Sequence, residues 1–150
     1  MRLEDRLYFE TDDGCAMCGA RGPNILTVHH IYERQGKARD DYDNQIVLCY
    51  NCHDQYHEKN RRRRGLTRDQ VVSRKRHLIM KTLTQYGVNA LKRASRDAKG
   101  VVGFPFLLHH LVELGYMRQE EMQMAYGDLE VTSRFTATPA GRRLVKLWFD

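Results

Sequence analysis

Four of the seven histidines fall between residues 29 and 57, at spacings that suit metal chemistry. His29 and His30 are adjacent in a segment rich in β-forming residues, and neighbouring side chains of a strand point to opposite faces. His53 and His57 are separated by one helical turn, which places them on one face of a helix. Together with His29 they form a predicted three-histidine metal site, while His30 faces the substrate. Three ligands leave coordination positions open for water or a phosphate oxygen, which is a condition for catalysis.

All four cysteines lie in the same part of the chain, as the pairs Cys15-x-x-Cys18 and Cys49-x-x-Cys52. This spacing lets both thiolates of a pair bind one ion, and two pairs supply the four soft ligands of a tetrahedral zinc site. We therefore predict a structural Zn²⁺ held by the four cysteines. The alternatives are two disulfides, which a reducing cell disfavours, or a redox pair, which needs one pair rather than two.

Short elements of secondary structure must position these ligands. Residues 25–31 and 46–48 are rich in β-forming residues, and a polar loop that contains Gly36 separates them. They predict two short paired strands. Residues 51–59 are compatible with one short helix, with Asn51 as its N-cap inside the second cysteine pair.

The motifs follow one another in the order Cys15-x-x-Cys18, His29-His30-Ile31, Asn44, Cys49-x-x-Cys52-His53 and His57. This order resembles the HNH endonucleases and their ββα-metal fold, over about residues 12–60. Many members of that family have Asp-His where this chain has His29-His30, and their aspartate is a metal ligand. The DNA-cutting colicins are more similar at this point, because they have a histidine pair followed by an asparagine and two further histidines.

The resemblance implies a role for each of these positions. His29, His53 and His57 would hold the catalytic ion, and His30 would be the general base that takes a proton from the water attacking the phosphorus. Asn44 would hydrogen-bond across the loop between the strands and fix the backbone that orients His30. A neutral imidazole suits this role, because it is a good base near neutral pH.

The identity of the catalytic ion depends on the chemistry of the ligands and on supply. Three imidazoles favour late first-row metals, whereas Mg²⁺ prefers oxygen ligands, and this site has no carboxylate. We expect Mn²⁺, Ni²⁺ or Zn²⁺ in the open site, with Mg²⁺ favoured only by its availability in the cell.

The rest of the chain predicts helices followed by a hairpin. A capping box that begins at Thr67 opens a helix that Gly87 is expected to end, and two more helices are predicted at residues 89–99 and 105–114. Alternating residues on either side of Gly127-Asp128 predict a β-hairpin, and a last helix begins at Thr138-Pro139. The whole is an α+β protein, in which a zinc-stabilised ββα-metal module precedes a mostly helical, winged-helix-like module. Its predicted core includes Leu107, Leu111, Phe135, Leu144, Leu147 and Trp148.

The net charge of +6 is unevenly distributed. Residues 61–99 have 13 basic and 2 acidic side chains, a net charge of +11, whereas residues 1–60 have 7 basic and 11 acidic ones. A basic segment of this kind attracts phosphate backbones, although a charge run is also the commonest kind of solvated surface. The arginine run marks a predicted boundary between modules at residues 1–65 and 66–150. The predicted nucleic-acid-binding residues are Arg61, Arg62, Arg63, Arg64, Lys92, Arg93, Arg96 and Lys99.

These features predict a metal-dependent endonuclease that hydrolyses DNA, with double-stranded DNA as the expected substrate and RNA as an open alternative. A non-catalytic, zinc-stabilised DNA-binding regulator is the alternative function, and the setting is phage or bacterial. The second module is expected to bind DNA, or else to mediate homo-oligomer or protein contacts. The longest apolar run is broken by charged residues, glycine and proline, so we expect no membrane anchor. The acidic N-terminus is unlike a signal peptide, which predicts a cytoplasmic location.

Overall fold

The computed structural model describes residues 2–22, 24–57, 65–127 and 129–150. The chain is a mixed α+β protein, as predicted, and it divides into two compact units, Met1–Thr82 and Leu83–Asp150. Within the described ranges, no helix is both long enough and apolar enough to span a bilayer.

The first unit is built on a small antiparallel sheet. The strands β1 (Leu26–His30) and β2 (Gln45–Cys49) pair so that His29 lies opposite Ile46 and His30 opposite Gln45, which confirms the two predicted strands. Every residue of β2 is buried, whereas β1 is mostly half-exposed. The apolar run of β2 therefore anchors the sheet, and β1 carries the histidine pair along its edge.

Helices flank this sheet in the sequence. An N-terminal helix that was not predicted, α1 (Leu3–Glu10), buries Leu7 and Glu10. The helix α2 (Tyr50–His57) follows β2 without a loop, so Asn51 lies in its first turn and the prediction that Asn51 is the N-cap was wrong. Between the strands, two 3₁₀ segments occupy Gly36–Asp40 and Tyr42–Asn44.

The helical segment α3 (Arg68–Arg96) begins as predicted and consists of two helices that join at Thr84, where φ is 59° and ψ is 157°. The Thr67 amide donates to Gln70 Oε1 at 2.9 Å, and the Gln70 amide donates to Thr67 Oγ1 at 3.2 Å, which confirms the capping box. The prediction that Gly87 ends the first helix was wrong in position, because the break lies three residues earlier, at Thr84, and Gly87 belongs to the second helix, which contains the start of the helix predicted at residues 89–99 and ends at Arg96. A Cβ on Gly87 would lie 3.0 Å from His110 Nε2, so this glycine permits close packing and is not a terminator.

The second unit combines helices with a three-stranded antiparallel sheet. The predicted helix at residues 105–114 is confirmed as α4 (Pro105–Glu113), and the predicted hairpin as β4 (Met117–Tyr126) and β5 (Leu129–Ala137). A short strand that was not predicted, β3 (Val101–Gly103), gives the sheet the order β3-β5-β4. The last helix, α5 (Pro139–Trp148), begins as predicted, with the Thr138 hydroxyl accepting a hydrogen bond from the Gly141 amide at 3.1 Å.

The core of the second unit is close to the predicted one. Leu111, Phe135, Leu144 and Trp148 are buried, as predicted. Leu107 and Leu147 are 37% and 52% exposed, so their prediction as core residues was wrong. Both lie on amphipathic helices, and hydrophobicity alone does not show which apolar residue falls just outside the buried stripe.

Candidate active site and metal centres

The four cysteines converge from three elements of the first unit. Cys15 and Cys18 lie in a turn before β1, Cys49 ends β2, and Cys52 lies in α2. Their sulfur atoms all lie within 4.8 Å of one another, and the cysteines are free rather than disulfide-bonded. The Sγ atoms of Cys18 and Cys49 are 3.6 Å apart, close to the roughly 3.8 Å edge of a tetrahedron with Zn–S bonds of about 2.3 Å. The donor set therefore fits a tetrahedral zinc ion.

Backbone groups surround the cysteine cluster. Burial raises the pKa of the Cys15 thiol, but backbone hydrogen bonds from Cys18, Cys49 and Met17 outweigh that effect and lower its pKa to about 7. Burial and the neighbouring thiols raise the pKa of Cys52. Without a cation, the closely packed thiols cannot all lose their protons, because neighbouring thiolates repel one another. A bound cation allows the four sulfurs to be deprotonated together. The Arg74 side chain of α3 stabilises the turn by donating to the Ala16 carbonyl at 2.8 Å.

The second cluster joins β1 to α2. One ligand atom from each of His29, His53 and His57 lies within 4.8 Å of the other two, and the ring centroids are 4.5 to 5.1 Å apart. His29 is buried, His53 is half-buried and His57 is exposed, so the cluster opens to solvent on one side. The three imidazoles thus converge on one point that solvent can reach.

The electrostatics of His29 suit a metal ligand. Its Nε2 atom is buried and has no hydrogen-bond partner among the described residues, which is costly unless another group satisfies it. Burial, and then the neighbouring His57 and His53, lower the pKa of His29 to about 4. At neutral pH its imidazole is therefore uncharged and offers a lone pair. These residues fit a divalent ion, and His29 would be its most buried ligand.

His30 lies in β1 beside His29 but has different surroundings. Its side chain is 31% exposed, and its Nε2 atom lies 3.0 Å from Asp40 Oδ1. Gln45, its partner across the sheet, places its amide nitrogen 3.4 Å from the same His30 atom. The two adjacent histidines therefore have separate partners, as expected for neighbouring side chains in a strand.

Asn44 holds the ends of the loop between the strands together. It is fully buried, its Oδ1 accepts from the Tyr32 amide at 3.0 Å, and its amide donates to the carbonyls of Tyr32 and Arg39 at 3.0 and 2.9 Å. These bonds tie the residues just after His30 to the residue before Asp40. The loop is thus tied at Tyr32, two residues after His30, and at Arg39, next to Asp40.

Comparison with known families matches this region to one model. Residues 15–59 match the family model described as HNH endonuclease. These residues are therefore similar to the HNH endonucleases, and residues 15–59 are called the HNH segment below. The segment includes both cysteine pairs, all four clustered histidines and Asn44. Comparisons with curated proteins and with solved structures found no match. The family match links the HNH segment with nuclease or DNA-binding activity and with a metal site.

Several residues around the clustered histidines were missed by sequence reasoning. Tyr56 packs edge-on against His29, with ring centroids 4.7 Å apart, and its hydroxyl lies 3.5 Å from the Ile31 carbonyl. Asp40 and Gln45 surround His30. Only Gln45 left a signal in the sequence, since pairing the two predicted strands places it near the histidine pair. Asp40 belongs to an acidic loop in which no residue is distinguished by type or spacing.

The predicted nucleic-acid-binding residues have different surroundings. Arg61, Arg62, Arg63 and Arg64 lie outside the described residues. In the second unit, Lys92 donates to the Phe149 carbonyl at 3.5 Å, and Arg96 Nη2 lies 3.5 Å from Asp150 Oδ1. Arg93 and Lys99 are exposed. Two of these four cations thus have intramolecular partners at the C-terminus.

Proposed function

We propose that this chain is a metal-dependent HNH endonuclease that hydrolyses DNA phosphodiester bonds. The observation that carries the proposal is the convergence of His29, His53 and His57, with one buried imidazole nitrogen unpartnered among the described residues, beside a separately positioned His30. A purely structural metal site is normally closed by four protein ligands, whereas a three-ligand site keeps a position open. A second, four-cysteine cluster already provides a closed site in the same unit.

In this proposal His29, His53 and His57 hold a divalent ion, with Mn²⁺, Ni²⁺ or Zn²⁺ favoured over Mg²⁺ because no carboxylate belongs to the set. The bound ion supplies charge neutralisation at the phosphate and at the leaving 3′ oxygen. The four cysteines hold the structural Zn²⁺ that the small first unit needs in order to fold. In this proposal the cysteine site stabilises the fold and the histidine site carries the chemistry.

His30 acts as the general base, supported by its geometry and partial exposure. It is half-buried on the strand that also carries His29, and the proposal requires a water beside the metal cluster to lie within its reach. The imidazole removes a proton from this water as the oxygen attacks phosphorus. Asn44 keeps the loop closed around His30 through its three backbone hydrogen bonds.

The second half of the chain is proposed to hold the substrate, which we take to be double-stranded DNA. Consecutive helices, a three-stranded sheet and a closing helix support a winged-helix-like module. The predicted module boundary at residue 65 rests on the arginine run, whereas the chain divides into its two compact units after Thr82. Exposed Arg93 and Lys99 favour contacts with the DNA backbone over base reading. Homo-oligomer or protein contacts are the alternative role of this module.

The test is cleavage of supercoiled plasmid with added Mn²⁺, Ni²⁺, Zn²⁺ or Mg²⁺, at matched structural zinc content. We expect the wild type to nick or linearise the plasmid and His30→Ala to lose about 100-fold or more of the rate, as is usual for a general base. His77→Ala, which removes an exposed histidine of α3, is the matched control and should cleave normally. Parallel gel-shift assays separate lost cleavage from lost binding.

A second function is favoured by the closed cysteine cluster and by the net charge of +11 over residues 61–99. Both suit a non-catalytic, zinc-stabilised DNA-binding regulator. Such a protein shifts DNA in a gel equally well with and without His30, and it does not cleave DNA with any of the added metals. That result would replace the nuclease proposal. Cleavage of RNA rather than DNA under the same conditions would change the substrate and leave the chemistry intact.

A further inference from the structure

We infer that Asp40 is the positioning residue of His30: its carboxylate holds the imidazole in the Nε2–H tautomer, so that Nδ1 is the atom that receives the proton from water. The inference rests on the proposed nuclease function and names the partner and the atom through which its base acts. Asp40 lies in the loop between β1 and β2, at the end of the Gly36–Asp40 segment.

The tautomer follows from the identity of the facing atoms. His30 Nε2 lies 3.0 Å from Asp40 Oδ1, which is hydrogen-bond distance. An ionised carboxylate only accepts hydrogen bonds, so the ring nitrogen that faces it must carry the proton. A neutral imidazole has one such proton, which leaves the lone pair on Nδ1. Among the described residues, Nδ1 of His30 has no hydrogen-bond partner, so it is available to a water molecule.

Gln45 holds the carboxylate in place from the sheet. Its side-chain amide nitrogen lies 3.4 Å from His30 Nε2 and 3.5 Å from Asp40 Oδ1, the same oxygen that faces His30. An amide nitrogen only donates, so in the Nε2–H tautomer of His30 it donates to the carboxylate oxygen and not to the ring. Gln45 is buried at the start of β2 and pairs directly with His30 in the antiparallel register. Asp40 itself is 69% exposed and needs this second contact to keep one orientation. The His30 ring and the Gln45 amide therefore both donate to one carboxylate oxygen, and Gln45 is the donor that is buried in β2.

This arrangement has a direct consequence for the proton transfer. Water loses a proton to His30 Nδ1, its oxygen forms a bond to phosphorus, and the bond between phosphorus and the 3′ oxygen breaks. The 3′ oxygen leaves with the bonding electrons and takes a proton from solvent, while the imidazolium later returns its own proton to solvent. During the step, the positive charge on the ring faces the Asp40 carboxylate. An imidazole in the other tautomer would present a hydrogen to the attacking water and would be inactive as a base.

The first test is the tautomer of His30, which does not depend on cleavage. Long-range ¹H–¹⁵N correlation spectra of the zinc-loaded full chain, recorded at about pH 8, identify the protonated ring nitrogen. His30→Gln assigns the signals. We expect the Nε2–H tautomer in the wild type and a mixture of tautomers in Asp40→Ala. An Nδ1–H tautomer in the wild type, or an unchanged tautomer in Asp40→Ala, overturns the inference.

The second test separates positioning from substrate binding. For plasmid cleavage, Asp40→Ala should lower kcat by about 10- to 100-fold and leave KM within about two-fold, because the base is misoriented while the phosphate contacts remain. Glu33→Ala is the matched control, since it removes an exposed carboxylate from the same loop. A kcat for Asp40→Ala within two-fold of the Glu33→Ala value overturns the inference. Absence of cleavage by the wild type refutes the nuclease proposal, and the tautomer spectra then decide the Asp40–His30 pairing alone.

Discussion

Lys75 and Glu10 form a buried ion pair, with Lys75 Nζ 2.8 Å from Glu10 Oε1 and both side chains at most 2% exposed. The Lys75 ammonium also lies 3.8 Å from the centroid of the Tyr42 ring. The Tyr42 hydroxyl donates to Glu10, and Thr82 Oγ1 donates to the same carboxylate at 3.3 Å. These contacts join α1, α3 and the Tyr42–Asn44 segment that precedes β2. The loop that holds Asn44 is therefore anchored by a charged core that no local sequence motif indicates.

Removing one partner of this ion pair should lower the free energy of unfolding more than replacing both partners. Lys75→Met leaves the Glu10 carboxylate buried without its cation, and we expect a loss of about 3–5 kcal/mol in the free energy of unfolding. Lys75→Met combined with Glu10→Gln should recover part of the loss, because a neutral amide still accepts from Tyr42 and Thr82. Urea unfolding measures both. Lys81→Met, at an exposed position of α3, is the control, and an equal effect of the two lysine variants would contradict the prediction.

Tyr42 should make the stability depend on pH under alkaline conditions. Burial, and then the Glu10 charge, raise its pKa well above 10.0 in the folded chain. Its contribution is fully present below the unfolded value and is lost above it, by about 1.4 kcal/mol per pH unit, because only the unfolded chain releases the proton. Burial lowers the pKa of Lys75 from 10.5, and this shift makes the stability rise with pH, opposite to the effect of Tyr42. Comparison of the wild type with Tyr42→Phe isolates the tyrosine.

The measurement is the urea midpoint of both proteins between about pH 8 and pH 11. The advantage of the wild type over Tyr42→Phe should shrink as the pH rises above about 10. A difference between the two proteins that is constant over this range would show that Tyr42 has an ordinary pKa in the folded chain.

Asn44 should be intolerant of even a close substitute. Asn44→Ala removes three buried hydrogen bonds and should destabilise the chain by about 2–3 kcal/mol, at about 1 kcal/mol per bond. Asn44→Asp places a carboxylate against the carbonyls of Tyr32 and Arg39 and should be at least as harmful. Both variants should lose cleavage, because the loop beside His30 loosens. Thermal unfolding and plasmid cleavage test this, with Asn51→Ala as an exposed control expected to behave like the wild type.

Zinc should be required for folding of the first unit. Cys49→Ser should lose one zinc ion per chain and the cooperative thermal transition, since structural zinc contributes about 10–16 kcal/mol in small domains. Elemental analysis and circular dichroism measure these effects. Met17→Ser changes a residue between Cys15 and Cys18 that offers no ligand to the cluster, and it should retain zinc. Full structure in Cys49→Ser would show that the sulfur cluster does not depend on a metal.

DNA binding by the second unit should depend most on its exposed cations. Each phosphate that a cation neutralises adds about 0.9 to the slope of log affinity against log salt, so Arg93→Ala with Lys99→Ala should lower that slope by about 1.8. Lys92→Ala with Arg96→Ala should have a smaller effect, because these side chains contact Phe149 and Asp150. Fluorescence anisotropy with duplex DNA at several salt concentrations measures the slopes. Equal slopes for the two double variants would contradict the assignment.

The sequence by itself determined the features that depend on local spacing. The two Cys-x-x-Cys pairs, the His53 and His57 spacing on one helical turn, and the Thr67 capping box were all readable. So were the paired strands of the first unit and the hairpin of the second. Each of these follows from the geometry of one turn of helix, one strand or one tight turn, so a few neighbouring residues suffice to predict it.

Only the tertiary structure decided the features that join distant segments. These features are the break in α3 at Thr84 rather than at Gly87, the third strand β3, the Lys75–Glu10 pair and the Asp40–His30 contact. All four depend on which segments pack together. A glycine ends a helix or permits close packing according to what lies beside it, and an acidic side chain is solvated or structural according to its burial. The sequence therefore identified the residues of both clusters, whereas the surroundings of His30 were fixed by the folding of the loop around it.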